Sequence, residues 1–256
     1  MPKGRWIRIP LYATLIFLYV PILVLVVMSF NSSSSPFSWG GFGGHWYVTL
    51  IHDQKVLTGL LNTIIVAVGA MVLSTALGTL LAVGLQRHTR SPILQAFALA
   101  PAIIPDLVLG IGLLAFYSLV SMTLGLHSVL IAHVVFGTAF VTAVVRARLD
   151  HVDPSLEEAS RDLGANGIAT FFRITVPTLA PAIVAGALLA FTLSLDEFVI
   201  AFFTDGPSTP TLPIIIYSMV RFGVTPEINA LASVLLLVSF TLVIGAQRIT
   251  RLTDAI

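Results

Sequence analysis

Asp153-Pro154-Ser155-Leu156-Glu157-Glu158-Ala159-Ser160-Arg161-Asp162-Leu163-Gly164, followed after nine residues by Ile174-Thr175-Val176-Pro177, is the longest charged interruption of an otherwise apolar chain. Asp153 before Pro154 marks a helix start: a side chain that can accept from a free amide, then a residue that needs no amide partner. Glu157, Glu158 and Asp162 suit the early turns, and Gly164 is placed to end the helix in a left-handed conformation. Leu156, Ala159 and Leu163 form an apolar edge at helical spacing. A second short helix, from about 167 to 173, offers Ile168, Phe171 and Phe172 before Pro177 opens the next apolar run. Two short helices bent at a glycine make a knob that fits a groove on a partner, with Ala159 and Gly164 permitting close approach. The same hairpin could equally pack only on its own chain.

On either side of this stretch the chain is too oily for water. Of 256 residues, 57% are hydrophobic and only 10% charged, against about a quarter charged in soluble domains. The bilayer is therefore its solvent. A net charge of +1 argues against nucleic acid as a partner, and the absence of cysteine removes disulfides and thiolate chemistry. Six apolar stretches reach the roughly 20 residues a spanning helix needs: about 9–30, 59–86, 93–120, 128–145, 179–203 and 228–248. They are continuous rather than alternating, which excludes a barrel. The first follows Lys3, Arg5 and Arg8, exceeds a signal peptide's apolar core and lacks a small-x-small cleavage site, so it reads as a retained span.

Positive charge sets direction. Lys3, Arg5, Arg8, Arg87, Arg90, Arg146, Arg148, Arg161, Arg173, Arg248 and Arg251 fall on one side, and only Lys55 and Arg221, of 13 Lys and Arg in all, on the other. Both termini and the 153–177 loop are thus expected inside. Outside lie 31–58, with a serine run and the turn Gly40-Gly41-Phe42-Gly43-Gly44, and 204–227, with turn signals at Asp205-Gly206-Pro207, Pro210 and Pro213.

Asp106, Asp196 and Glu197 stand within apolar runs, where a carboxylate is costly unless it faces water, a partner or a ligand. No Lys or Arg of the same spans neutralises them; His133 is the nearest candidate. A cationic substrate would supply the missing charge, and outer-side aromatics such as Trp46 could add cation–π attraction. Alternatively the acids pair with a partner's Arg, or with backbone freed by Pro101 and Pro105, and the aromatics anchor the interface.

The spacing Glu158-Ala159-Ser160, three residues, Gly164, nine residues, Ile174-Thr175-Val176-Pro177 resembles the E-A-A-x3-G-x9-I-x-L-P loop by which membrane subunits of ATP-binding-cassette importers dock onto their ATPases. Ser160 replaces the second Ala and Val176 the Leu. The resemblance implies an all-α, six-span type I importer permease fold in a single domain, 1–256, with 153–177 as coupling loop. It makes Glu158, Ala159, Ser160, Gly164, Ile174 and Pro177 the coupling residues. Its expected partners are a second homologous permease, two ATP-binding-cassette subunits and an extracytoplasmic binding protein, at a bacterial inner membrane with both termini cytoplasmic. This chain has no G-x-x-x-x-G-K-[ST] loop, so ATP and Mg belong to the partner ATPases, and the chain itself is neither an enzyme nor a cofactor carrier.

Phe30-Asn31-Ser32, Trp46-Tyr47, Pro105-Asp106, Leu193-Ser194-Leu195-Asp196-Glu197 and Pro226-Glu227-Ile228-Asn229-Ala230-Leu231 are similar to the spermidine/putrescine (polyamine) branch of these permeases, in its second, C-type subunit. That branch often has Asp-Asp where this chain has Asp196-Glu197, which keeps the charge and changes the reach. The resemblance implies a substrate pathway including Trp46, Asp106, Ser194, Asp196 and Glu197, and a polyamine-binding external protein. The competing reading is an ion- or proton-coupled secondary transporter of small cationic solutes using Asp106, His133 and Asp196; it leaves the loop spacing unexplained. A membrane enzyme lacks the motifs it would need.

Overall fold

The computed structural model describes residues 5–35, 38–89, 91–223 and 225–253, with side chains described within 8–35, 38–89, 91–223 and 225–241. Lys3, Pro36 and Arg90, and the side chains of Arg5, Arg248 and Arg251, lie outside the described residues. The chain divides into two compact units: Met1–Leu57 with Ile215–Val243, and Thr58–Ile214 with Ile244–Ile256.

Helices account for the architecture. In chain order they are α1 (Arg5–Met28), α2 (His45–Leu50), α3 (Gln54–Gly84), α4 (Pro92–Ile103), α5 (Asp106–Leu119), α6 (Leu126–Leu149), α7 (Ser155–Asp162), α8 (Gly167–Thr170), α9 (Val176–Asp196), α10 (Val199–Thr204), α11 (Leu212–Phe222) and α12 (Pro226–Thr253). Two π-helical turns, Leu85–Thr89 and Phe171–Thr175, extend α3 and join α8 to α9. Among the described residues, four continuous stretches are long and apolar enough to cross a membrane: Arg8–Met28, Gln54–Thr89, Leu126–Leu149 and Gly167–Asp196.

The expected third span is two helices. α4 and α5 meet at a bend of 108°. The cause is local: a proline clashes with the helical conformation of the residue before it, so Pro105 holds Ile104 extended at φ −68°, ψ 135°. Asp106 consequently opens a helix rather than lying within one. The expected fifth span is longer at its start and shorter at its end, running from Gly167 to Asp196 and breaking at Glu197 and Phe198. Pro177 does not open it. The π turn just before shifts the ladder, with the Val176 amide donating to the Phe171 carbonyl five residues back, and the proline sits in the first turn of α9. The 204–227 segment also contains a helix, α11, with Pro213 in its first turn, a position where proline needs no amide partner.

In the unit of Thr58–Ile214, α6 is the central element. It packs along α9 and carries α4 and α10, while α10 also rests on α5. Val141, Val145 and Leu149 of α6 join Ala82 of α3 and Leu179 and Ala190 of α9 in one buried cluster. Ala132 and Phe136 pack with Ile200 of α10 in another. In the other unit, all side chains of α1 from Arg8 to Val24 are exposed, as suits a helix whose solvent is hydrocarbon. The loop after α1 is built around buried Asn31: its Oδ1 accepts from the amides of Ser33 (3.1 Å) and Gly40 (2.8 Å), and its Nδ2 donates to the Ser38 carbonyl (2.8 Å).

Candidate docking surface and substrate site

The 153–177 loop presents one face and anchors the other. Asp153 Oδ1 accepts from the Ser155 amide at 2.9 Å, which starts α7; that backbone bond, with the Ser155 hydroxyl, holds the Asp153 carboxyl below its ordinary range. Gly164 ends the helix at φ +88°, with the Gly164 and Ala165 amides donating back to the Arg161 and Ser160 carbonyls at 2.8 and 3.1 Å. Asn166 Oδ1 then caps α8 by accepting from the Ala169 amide at 2.8 Å. Leu163 is 90% exposed, Ile168 73% and Phe172 65%, so the knob keeps an apolar surface that this chain does not cover. Glu158, Ala159, Gly164 and Pro177 are exposed; Ser160 and Ile174 are half-buried.

The inner side of α7 is polar. Glu157 is buried, and its Oε1 accepts from the Thr175 hydroxyl at 2.9 Å and lies 3.3 Å from Arg87 Nη2. Arg87 Nε and Nη2 are themselves buried without an aligned hydrogen bond, so the Arg87–Glu157 contact is one of charge. Ser160 Oγ, one turn on, meets Thr170 Oγ1 at 3.2 Å. A cavity of about 550 Å³ lies behind the helix, bordered by Arg87, His88, Glu157, Arg161 and Phe171. Next to Arg87, Gln86 donates to Asp150 (2.6 Å) and accepts from Arg146 Nε (3.4 Å), tying the same turn to the end of α6. Sequence reasoning missed this Arg87–Glu157–Thr175 set, because nothing in the chain distinguishes Glu157 from Glu158 until α7 is docked.

The expected substrate-path residues separate by role. Asp106 is the first residue of α5 and Asp196 the last of α9, and both are exposed. Glu197 is half-buried in the break and caps α10, its Oε1 accepting from the Ile200 amide at 2.9 Å. Asp106 and Glu197 stand at the starts of α5 and α10, which pack on one another. The close approach of α5 and α10 requires Gly110, where a Cβ would lie 3.1 Å from Phe203 Cδ2 and 3.4 Å from Ile200 Cα. Ser194 is buried and committed: its Oγ lies 2.7 Å from His133 Nδ1, joining α9 to α6. His133 Nε2 is buried with no hydrogen-bond partner among the described residues. Trp46 belongs to the other unit, half-buried, with its indole N–H donating to the Asn31 carbonyl at 2.8 Å.

The chain has recognisable relatives. Residues 74–254 match the family described as "Binding-protein-dependent transport system inner membrane component". The chain is 41% identical over 243 residues to the putrescine transport system permease protein PotI of Escherichia coli (strain K12), covering 91% of this chain and 86% of that protein. It is 39% identical over 237 residues to the spermidine/putrescine transport system permease protein PotC of the same strain, covering 92% and 90%. Among solved structures, a chain of a bacterial alginate ABC transporter in complex with its alginate pentasaccharide-bound periplasmic protein superposes with TM-score 0.74 at 18% identity, covering 98% of this chain and 96% of that one. A chain of the MetNI methionine ABC transporter, in an inward-facing conformation, gives 0.65 at 19%, covering 83% and 99%. These likenesses establish the all-α importer permease fold, and the relatives are permease proteins, not enzymes in their own right. The chain belongs to the family of inner-membrane components of binding-protein-dependent transport systems.

Proposed function

We infer that this subunit forms half of the passage of an ATP-driven importer for polyamines of the spermidine and putrescine class. The observation that carries the substrate class is identity of 39–41% with two polyamine permeases over nine-tenths of the chain. The geometry supports it. Asp106 and Asp196 stand exposed at two helix breaks, and Glu197 heads α10, which packs on α5. An extended cation with several ammonium groups needs several such acceptors. Trp46 is a candidate for cation–π contact with such a substrate, and Ser194 acts through its bond to His133. A second homologous permease completes the passage, and an external polyamine-binding protein delivers substrate. Two ATPase subunits hold ATP and Mg and dock on Glu158, Ala159, Ser160, Gly164, Ile174 and Pro177. Both termini lie on the ATPase side. Membership in a binding-protein-dependent family leaves no role for an ion relay as the motor.

Uptake of labelled putrescine and spermidine by cells relying on this transporter tests the substrate class. Asp106→Asn and Asp196→Asn, at equal membrane abundance, should each lower uptake by about tenfold or more, the usual weight of a charged hydrogen bond. Normal uptake in both variants would refute the pathway assignment.

A further inference from the structure

We propose that Arg87, Glu157 and Thr175 form a strut that ties α7 to the ends of α3 and α9, and that its charge pair converts displacement of α7 into movement of those spans. The proposal rests on the reading that α7 docks on an ATPase.

The α7 helix has eight residues, too few to be stable or stiff alone. A push on its outer face reaches the membrane helices only through its attachments. The turns at its ends are bonded only within the loop, so the side-chain anchors give its inner face its direct route to the spans. Glu157 and Ser160 are three apart and share the inner face. Ser160 reaches only the neighbouring α8, through Thr170. Glu157 reaches further, to Arg87 at the end of α3 and to Thr175 at the start of α9. Arg87–Glu157 is the one ion pair among the described residues.

Both anchor points sit in π turns, Arg87 within Leu85–Thr89 and Thr175 within Phe171–Thr175. Such turns interrupt the regular ladder and recur where helices do functional work. Here one follows α3 and the other leads into α9, and the strut is attached to both. The pair is also mutually dependent. With Glu157 gone, Arg87 keeps buried donors beside a cavity and loses its ion-pair partner, and α7 loses its reach to α3. Gln86, next in the chain, carries the same turn to Asp150 and Arg146 of the α6 end. Two long helices, α3 and α9, therefore meet at one buried glutamate, and α6 is tied to the same turn of α3.

The test uses the whole transporter reconstituted in liposomes with its ATPase and its substrate-loaded binding protein. Three quantities are read: ATPase retained on the purified permease, ATP hydrolysed, and putrescine moved per ATP. Glu157→Gln keeps an acceptor for Thr175 and removes the charge. It should leave ATPase retention within about twofold of wild type and lower transport per ATP by about tenfold, a typical coupling factor. Arg87→Lys should fall between, and the exchange Arg87→Glu with Glu157→Arg should recover most of the loss. Unchanged transport per ATP in Glu157→Gln overturns the proposal. So does loss of bound ATPase in that variant, which would make Glu157 a support for docking only. No ATPase on the wild-type permease would overturn the docking reading itself, and the strut with it.

Discussion

Replacing Gly164 by alanine separates backbone strain from bulk at the docking knob. Gly164 has φ +88°, and a Cβ there would meet nothing within 4 Å, so the whole cost of the substitution within this chain is conformational. An L-residue held in the left-handed region costs about 1–2 kcal/mol. If the bend between α7 and α8 is the shape the ATPase binds, that cost appears as weaker binding, by about 5- to 30-fold at 1.4 kcal/mol per decade. Asparagine tolerates the left-handed region better than alanine although it is larger. Affinity of the isolated ATPase for the permease pair in nanodiscs should therefore fall in the order Gly164, Gly164→Asn, Gly164→Ala. Wild-type affinity in Gly164→Ala would show that the bend is not what the ATPase recognises. The opposite order, with Gly164→Asn weakest, would refute the strain argument in favour of a steric contact.

Three further outcomes are expected. Asn31→Ala strands the Ser33 and Gly40 amides and the Ser38 carbonyl, a local loss of about 2–4 kcal/mol, so proteolysis within 32–44 should accelerate; an unchanged cleavage rate would deny Asn31 its organising role. Ser194→Ala leaves His133 Nδ1 buried without its partner and should lower stability by about 1–3 kcal/mol, whereas exposed Asp196→Asn should leave the melting temperature of the solubilised protein unchanged; equal Tm for both would refute the distinction. Asp153 has a depressed folded pKa from its Ser155 bonds, so its support of α7 is present above the unfolded Asp value and disappears as pH falls through the lower folded one. Amide protection factors in α7, corrected for the intrinsic pH dependence of exchange, should thus be constant from neutral pH down to the ordinary Asp range and fall only below it, and Asp153→Asn should weaken that dependence.

The two-helix knob of 153–177 was legible because its signals are local. Asp153 and Gly164 act within a few residues of themselves, and the exposed apolar edge follows from helical spacing; the Asn166 cap on α8 came only with the structure. The apolar runs likewise declared a membrane chain. Counting apolar residues did not reveal the corner between α4 and α5, because Ile104 and Pro105 are as oily as their neighbours and act through sterics rather than polarity. Ser194 shows a different gap. It was grouped with Asp196, but residues two apart on a helix project about 200° apart, and the structure turns one to His133 and the other outward. Glu157 and Glu158 differ only by about 100° of rotation, which becomes meaningful once Arg87 and Thr175 arrive from 70 residues upstream and 18 downstream.

The corner at Ile104 has a consequence for the shape of the surrounding lipid. α4 has 12 residues and α5 has 14, about 18 and 21 Å at 1.5 Å per residue. Neither alone traverses an oily layer of about 30 Å. Where they meet, one helix ends and another begins, leaving carbonyls of the first and amides of the second outside any ladder. Acyl chains offer nothing to bond with such groups, so bare backbone of this kind is tolerated only against protein or water. The Ile104–Pro105 corner therefore marks a place where the hydrocarbon must stop.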